Sequence, residues 1–332
     1  MAANLVKEFK MSLLKPLKIG SLTCKNNLVL APMAGITDTP FRLLCLEGGA
    51  GLVCAEMVSS SALKYGNERS QNMLKISARE HPLSMQIFGG DAGALVIAAK
   101  LARDAGADIV DINAGCPVKK VNKAGAGCVL LKDLNKLENM VSSVVKAVKI
   151  PVTLKTRIGL TENNFLTKDI VNLAINSGVS ALVLHGRAAS KMHNGPVNLT
   201  ELSKAAELAK GKITLIVNGG ITKPEEAKTL LETGADGIMI GRGAIGNPFI
   251  FKQIEDYLNT GTYTEPTPQE RIKKYKFLVQ QNIDFYGERV GLNRSKKTSG
   301  FWINNFAGAA KIRAAFVLCQ EADKALSLLN LK

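Results

Sequence analysis

Histidine is scarce in this chain of 332 residues, and closely paired cysteines are absent. The chain has only three histidines, and its six cysteines are scattered, with no C-x-x-C pair and no histidine spaced as a metal partner. We therefore expect no metal site. Isolated cysteines in a chain of this size indicate reduced thiols in a reducing compartment, so we expect a cytoplasmic protein.

Long apolar runs are absent as well. No stretch approaches the roughly 20 unbroken apolar residues that a membrane-spanning helix needs, so we expect no contact with a membrane. Residues 1–10 include three charged side chains and no apolar h-region, which argues against an export signal. Met11 is a second plausible start, and we interpret residues 1–11 as an N-terminal extension.

Acidic residues are too few to balance the basic ones. The chain has 28 aspartates and glutamates against 43 lysines and arginines, a net charge of +15. Such a charge attracts polyanions, of which nucleic acid is the commonest in cytoplasm, although lysine can also serve only as a solubiliser. Residues 265–332 alone hold 12 basic and 6 acidic residues. This concentration favours a nucleic-acid partner over general solubility.

Short apolar runs recur along the chain, each followed by an amphipathic segment. The runs are β-branched and apolar on both faces, as expected of parallel strands covered by helices. They span residues 28–31, 52–55, 84–88, 109–112, 152–155, 181–184, 214–217 and 238–240. Helix-like segments between them include 93–105, 134–148, 168–177, 199–210 and 224–233. Eight strands alternating with helices predict an α/β fold, a closed (β/α)8 TIM barrel.

Two further observations define the domains. No G-x-G-x-x-G follows the first strand, which argues against an open doubly wound sheet. Residues 259–268 lie in a Pro- and Gly-containing stretch without an apolar period, which indicates a linker. We therefore predict a catalytic barrel over residues 12–258 and a C-terminal all-helical domain over 269–332. Within that domain we expect helices at 269–286 and 305–329, with a basic stretch, 289–297, between them.

Cys116 is the strongest catalytic candidate. It follows the fourth strand in an Ala-Gly-Cys-Pro turn, and catalytic residues of such barrels lie where strands end. Flanking glycine and proline would fix the backbone so that the thiol points from the rim. A thiol there can act as a nucleophile or as a proton donor. The other five cysteines are better explained as buried, inert thiols.

Other strand ends supply groups that suit a phosphorylated cofactor. The glycine-rich ends of strands seven and eight, with Arg242, are typical of a phosphate site. Lys155 ends the fifth strand, where it could form a Schiff base, hold the charge of a reduced flavin or pair with Asp111 or Glu56. His185 and Arg187 end the sixth strand, and His185 could donate to a flavin or a substrate carbonyl.

With these residues identified, the chain resembles the tRNA-dihydrouridine synthase family, most closely its bacterial B-type branch. The likeness runs from about residue 17 to near residue 320, and six blocks carry it. They are LAPMAGITDTPFR (30–42), DINAGCPVKKVNKAGAG (111–127), KTRIG (155–159), HGR (185–187), NGGI (218–221) and IGRGAIGNPFIF (240–251).

The resemblance implies a flavin-dependent oxidoreductase that reduces the C5–C6 double bond of uridines in tRNA. FMN would take electrons from NADPH, or NADH, and pass a hydride to uracil C6, while Cys116 gives a proton to C5. By position, the FMN-binding residues would be Pro32, Met33, Ala34, Gln86, Lys155, His185, Asn218, Gly219, Gly220, Gly241 and Arg242. The substrate pocket would contain Asn113, Arg157 and Arg187. We expect a monomer.

The helical domain would then bind tRNA together with the rim of the barrel. The candidate RNA-binding residues are Lys119, Lys120, Lys123, Arg289, Arg294, Lys296, Lys297 and Arg313. Two alternatives remain open at this point. One is a barrel flavoprotein acting on a small metabolite, as dihydroorotate dehydrogenase does, and the basic helical domain argues against it. The other is a tRNA-binding barrel without catalysis.

Overall fold

Eight short apolar segments form a closed parallel barrel in the computed structural model, which describes residues 12–331. The strands, in chain order, are Leu28–Leu30, Leu52–Cys54, Leu83–Phe88, Ile109–Asn113, Val152–Arg157, Ala181–His185, Thr214–Asn218 and Gly237–Ile240. Each strand pairs in parallel with the next, and the eighth pairs with the first, Ile238 lying opposite Leu28. The predicted (β/α)8 barrel and all eight of its strands are therefore confirmed.

Both faces of the strands are buried, which explains their continuous apolar runs. Leu28 and Leu30 pack outward against the helices, whereas Val29 points into the barrel interior. A hairpin of two short strands, Leu17–Ile19 and Leu22–Cys24, precedes the first barrel strand, and its buried side chains join the same interior cluster. The hairpin and this cluster fill the amino end of the barrel, and the polar residues at the strand ends lie at the opposite, carboxyl end.

Helices follow the strands at the predicted places. They span Thr39–Glu47, Ser60–Lys64, Glu68–Asn72, Ala92–Asp104, Lys119–Lys123, Leu134–Ala147, Thr167–Asn176, Leu199–Ala209, Pro224–Leu231 and Ile250–Thr260. Side chains of Asp38, Asp91, Asp133 and Asn198 accept backbone N–H groups at the starts of four of them. Each such cap stabilises its helix by about 1 kcal/mol.

Smaller elements complete the carboxyl end of the barrel. A short strand, Val58–Ser59, extends the sheet beside the third barrel strand, and a two-stranded hairpin follows the fifth strand. The hairpin strands are Gly159–Thr161 and Asn164–Phe165, and 3-10 turns span Gly127–Lys132, Ala189–Lys191 and Arg242–Ala244.

Four helices follow the barrel, and they differ in part from expectation. They span Pro268–Tyr286, Glu288–Trp302, Ala309–Leu318 and Ala322–Ser327. The basic stretch 289–297 was expected to lie between helices, and this was wrong, since it lies within the second helix. The buried residues of this helix are Gly291, Leu292, Ser295, Ser299 and Trp302, and only Leu292 and Trp302 among them are large and apolar, which is too few to reveal a period. The single helix expected over 305–329 is two helices.

The buried side chains of the C-terminal helices continue the hydrophobic core that surrounds the barrel. Tyr275 stacks on Trp302 at 5.2 Å between ring centroids, and its hydroxyl donates to the Ser295 carbonyl at 2.8 Å. Gly246 is required where the two parts meet, because a Cβ there would overlap the carbonyl oxygen of Phe301. The predicted linker, 259–268, contains the irregular connection 261–267.

Two remaining expectations concern the ends of the chain and membranes. The proposed extension, residues 1–11, falls outside the described residues. Among residues 12–331, no helix is long and apolar enough to cross a membrane.

Candidate active site

The carboxyl ends of the barrel strands surround a cavity of about 960 Å³. All fifteen barrel residues predicted from the sequence to form the site line it. They are Pro32, Met33, Ala34, Gln86, Asn113, Cys116, Lys155, Arg157, His185, Arg187, Asn218, Gly219, Gly220, Gly241 and Arg242. Lysine and arginine contribute five side chains to the described lining, and aspartate and glutamate contribute none. The cavity therefore suits an anionic occupant.

Cys116 lies on the loop after the fourth strand, half-buried at the cavity wall. Its backbone N–H donates to Asn113 Oδ1 at 3.0 Å, and its carbonyl oxygen accepts the N–H of Cys128 at 3.0 Å. Burial raises the pKa of the Cys116 thiol, although nearby cationic groups oppose that rise. The thiol is therefore protonated at neutral pH, as a proton donor must be.

A buried chain of hydrogen bonds orients Asn113. Asp111, inside the barrel, accepts from Thr153 Oγ1 and from Gln86 Nε2, each at 2.6 Å. Gln86 Oε1 then accepts from Asn113 Nδ2 at 2.9 Å, which leaves Asn113 Oδ1 free to accept from Gly115 and Cys116. Burial raises the pKa of Asp111 to about 6, so at neutral pH it is an ionised acceptor. The barrel interior thus fixes the loop that holds the thiol.

Lys155 extends from the fifth strand into the cavity. Its Nζ donates to Asn218 Oδ1 at 3.1 Å, and no ion pair with Asp111 or Glu56 forms among the described residues. Burial lowers the pKa of Lys155 to about 8, so the ammonium is charged at neutral pH without an ion-pair partner. Such a group is costly to bury unless an anionic or polar ligand meets it.

Arg157 and His185 are both held by backbone groups. The Arg157 guanidinium donates to the carbonyl of Gly115 at 2.9 Å and to that of Ala188 at 3.2 Å, and so braces the loop of Cys116. His185 Nδ1 accepts the backbone N–H of Arg187 at 3.2 Å. Burial and the surrounding cations lower the pKa of His185 well below its ordinary value. The imidazole is therefore neutral, with its proton on Nε2.

The ends of strands seven and eight form a part of the cavity wall that consists of glycine backbone and arginine side chains. Gly219 has φ +128°, and a Cβ there would press on Val197. The exposed Arg242 guanidinium donates to the His193 carbonyl at 3.2 Å. Arg187 lies behind, its Nε donating to the Gly195 carbonyl at 2.7 Å. Backbone glycines and an exposed cation together can hold a phosphate.

Of the eight predicted RNA-binding residues, five are exposed and three are partly buried. Lys119, Lys120, Lys123, Arg289 and Lys297 are exposed. Lys296 is partly buried, and Arg313 is partly buried while it donates to the Ile303 carbonyl at 3.0 Å. Arg294 instead forms an ion pair with Asp38 of the barrel at 2.9 Å. The structure thus gives Arg294 a partner within the chain.

Sequence reasoning missed the contribution of the C-terminal helices to the cavity. Arg271, Phe301, Asn304 and Asn305 line its mouth, as does Met57 of the barrel. Phe301 is large, apolar and 47% exposed. No motif distinguishes these residues along the chain, because they reach the cavity only through the docking of the helices.

Comparison with known proteins identifies the family of this chain. A family model described as dihydrouridine synthase matches residues 29–332. The chain belongs to the dihydrouridine synthase family. The resemblance recognised in the sequence is confirmed, and so is the expected class of enzyme, a flavin-dependent oxidoreductase.

Relatives in the dihydrouridine synthase family are similar over nearly their full length. The tRNA-dihydrouridine synthase B of Vibrio vulnificus (strain CMCP6) is 42% identical over 302 residues, which cover 90% of this chain and 93% of that protein. That of Vibrio cholerae is 40% identical over 316 residues, 95% of this chain and 98% of the relative. The B-type branch predicted from the motifs is thereby confirmed.

Solved structures with the same fold are more distant. Morphinone reductase superposes with a TM-score of 0.55 at 15% identity, over 78% of this chain and 94% of that one. Histamine dehydrogenase from Rhizobium sp. 4-9 gives a TM-score of 0.58 at 14% identity, over 87% of this chain and 51% of that one. At such identities the likeness shows the barrel fold alone.

Proposed function

We propose that this chain is a tRNA-dihydrouridine synthase, which reduces the C5–C6 double bond of uridines in tRNA with FMN as cofactor and NADPH as reductant. The relatives named above support the reaction. The observation that carries it is the protonated Cys116 thiol, held at the wall of a cationic cavity by Asn113. A reduction that adds hydrogen across a double bond needs such a proton donor.

The residues present fit FMN. The uncompensated Lys155 ammonium suits the polar edge of a flavin, and the glycine turns beside Arg242 suit its phosphate. We propose that FMN is held by Pro32, Met33, Ala34, Gln86, Lys155, His185, Asn218, Gly219, Gly220, Gly241 and Arg242. When bound and reduced, FMN supplies the hydride that adds to uracil C6.

The chain itself supplies the proton and the positioning. The Cys116 Sγ–H gives its proton to uracil C5, and bulk solvent later restores it. Asn113 and Arg157 both hold the peptide group that joins Gly115 to Cys116, since Asn113 accepts its N–H and Arg157 donates to its carbonyl. Arg187 adds a positive charge near the uracil carbonyls. Neutral His185 can donate a hydrogen bond from Nε2 without adding charge.

The C-terminal helices provide the surface for tRNA in this proposal. A uracil must leave its stack to enter the cavity, and the surrounding phosphates then need cationic partners. Lys119, Lys120 and Lys123 lie beside the loop of Cys116, and Arg289 and Lys297 lie eight residues apart on one exposed helical face. We therefore propose a catalytic unit over residues 12–258 and a tRNA-binding unit over 269–332, acting as a monomer in the cytoplasm.

A direct assay tests this function. The purified protein is supplied with FMN, NADPH and tRNA transcribed without modifications, and the nucleosides are analysed by mass spectrometry. We expect dihydrouridine to form and NADPH to be consumed only when tRNA is present. Reduction of orotate without reduction of tRNA would instead favour an enzyme of small metabolites.

A further inference from the structure

Arg294 joins the C-terminal helices to two carboxylates of the barrel. Its Nε and Nη2 lie 3.0 Å and 2.9 Å from Asp38 Oδ2, and Nη2 lies 3.5 Å from Glu56 Oε2. The guanidinium also lies over the ring of Tyr286, 4.5 Å from its centroid, and the Tyr286 hydroxyl donates to Asp38 at 3.3 Å. All three charged side chains are largely buried, the most exposed being Arg294 at 22%.

The two carboxylates flank one loop of the barrel. Residues 32–38 connect the first strand to the helix Thr39–Glu47, and Asp38 caps that helix by accepting the Phe41 N–H at 3.2 Å. Glu56 accepts the backbone N–H of Gly35, in the middle of the same loop. Arg294 therefore binds one end of the loop directly and its centre through Glu56.

This loop forms part of the cavity. Pro32, Met33, Ala34 and Ile36 line it, and the first three are the proposed flavin contacts. Arg294, Asp38 and Glu56 are not part of the described lining. Arg294 thus has no contact with the cavity itself, and the part of the lining that its carboxylate partners hold is this loop.

Asp38 depends on the charge of Arg294. Burial raises the pKa of Asp38, and the adjacent guanidinium opposes that rise. Without Arg294, a desolvated carboxylate would remain at the helix start, and such a group must take up a proton or move towards water. Either change would loosen the end of the loop.

We propose that Arg294 is a positioning residue for the flavin site, through which docking of the C-terminal helices sets the conformation of the loop 32–38. This inference rests on the proposed FMN site. It also reassigns Arg294, predicted from the sequence as a phosphate contact, to a contact between the two parts of the chain.

The chain offers a matched control. Lys274 also joins the C-terminal helices to the barrel, its Nζ lying 3.2 Å from a carboxylate oxygen of Glu47. Glu47 is the last residue of the helix that Asp38 caps, so this ion pair holds the same helix at the end away from the loop. Both of its side chains are more than one-third exposed.

The test measures FMN affinity of the full-length protein after removal of bound flavin, by quenching of flavin fluorescence. We expect Arg294→Met to raise the dissociation constant about 5- to 10-fold, a usual size for coupling between sites. Lys274→Met should leave the dissociation constant unchanged. Arg294→Lys, whose single ammonium can pair with Asp38 but not also with Glu56, should give a dissociation constant between those of the wild type and Arg294→Met. Thermal unfolding of each variant, measured without flavin, separates a loss of affinity from a loss of fold.

Three results would overturn the inference. Equal affinity in Arg294→Met and wild type would do so, as would equal losses in Arg294→Met and Lys274→Met. If Arg294→Met fails to fold, Glu56→Gln is measured in its place. The amide keeps an acceptor for the Gly35 N–H but loses the charge that pairs with Arg294. Unchanged FMN affinity of Glu56→Gln would then overturn the inference. A wild-type chain that binds no FMN would reject the proposed function as well, whereas the other outcomes leave that function intact.

Discussion

The side-chain oxygen of Asn113 accepts the backbone N–H of Cys116 at 3.0 Å. Asn113 is the last residue of the fourth barrel strand, and its orientation is set by Gln86 and, behind it, by buried Asp111. The position of the thiol is therefore determined by the barrel interior rather than by the loop alone. This arrangement is what a reacting group requires, since misplacement by about 1 Å can lower a rate about 100-fold.

Replacing the thiol tests its role as a proton donor. We expect Cys116→Ala to retain FMN and tRNA binding but to form dihydrouridine at least about 100-fold more slowly, the usual contribution of general acid catalysis. Cys128→Ala is the matched control, because Cys128 lies on the same segment and is buried beside Cys116. Single-turnover reduction of tRNA by the pre-reduced enzyme measures both variants. A wild-type rate for Cys116→Ala would remove the proposed proton donor.

The same thiol predicts a pH dependence. Because burial raises the pKa of Cys116, the protonated form persists through neutral pH and is lost only when the solution becomes more alkaline than that raised pKa. The contribution of the thiol to the single-turnover rate should therefore be level up to about pH 8.5, the ordinary pKa of a cysteine. Loss of the Lys155 proton, whose pKa is about 8, should lower the rate somewhat earlier. A rate that rises with pH across neutrality would instead indicate that the thiolate is the active form.

Lys155 predicts an electronic effect on the cofactor. A cation in the flavin site favours the reduced, more negative form, so Lys155→Met should lower the two-electron potential of bound FMN. If the ammonium stabilises the reduced flavin by about 1.4 kcal/mol more than the oxidised flavin, its removal should lower that potential by about 30 mV. Equilibration with a reference dye measures the shift. An unchanged potential, with FMN still bound, would show that the ammonium does not reach the ring.

The barrel and its rim could be predicted from the sequence because their signals are local. Each strand is a short run buried on both faces, and a residue such as Lys155 or Asn218 is placed at the rim simply by lying where a run ends. Closure of the barrel brings Lys155 of strand five and Asn218 of strand seven together across strand six, although 63 positions separate them in the sequence.

The C-terminal helices show why the rest could not be predicted. Arg294 and Lys297 are both basic residues in one polar stretch, and only the phase of the helix decides that the first faces the barrel and the second faces solvent. That phase is hidden, because Ser295 and Ser299 replace apolar residues on the buried face. Phe301 likewise reaches the cavity only because the glycine at position 246 permits a close approach.

Arg242 predicts a discrimination between two flavins. If its guanidinium binds the FMN phosphate, Arg242→Ala should weaken FMN binding about 10- to 150-fold, which corresponds to the roughly 1.5–3 kcal/mol of a hydrogen bond to a charged group. Riboflavin lacks the phosphate, so its affinity should be the same for the variant and the wild type. Fluorescence titration measures the affinity of the wild type and of Arg242→Ala for each of the two flavins. Equal losses for both flavins would show that Arg242 supports the cavity in another way.

Lys296 and Lys297 of the second C-terminal helix predict a salt effect on tRNA binding. Each lysine that neutralises a phosphate releases counterions, so Lys296→Ala with Lys297→Ala should weaken binding and reduce the slope of log affinity against log salt by about 1.4 to 1.8. The control pair is Lys146→Ala with Lys149→Ala, because both lysines are exposed and precede the fifth strand, at the end of the barrel away from the cavity. Affinities are measured by filter binding between about 50 and 200 mM salt, the range over which phosphate contacts dominate. Equal slopes for the two double variants would mean that Lys296 and Lys297 face only solvent. A reduced slope confined to the first pair would place a tRNA phosphate against this helix.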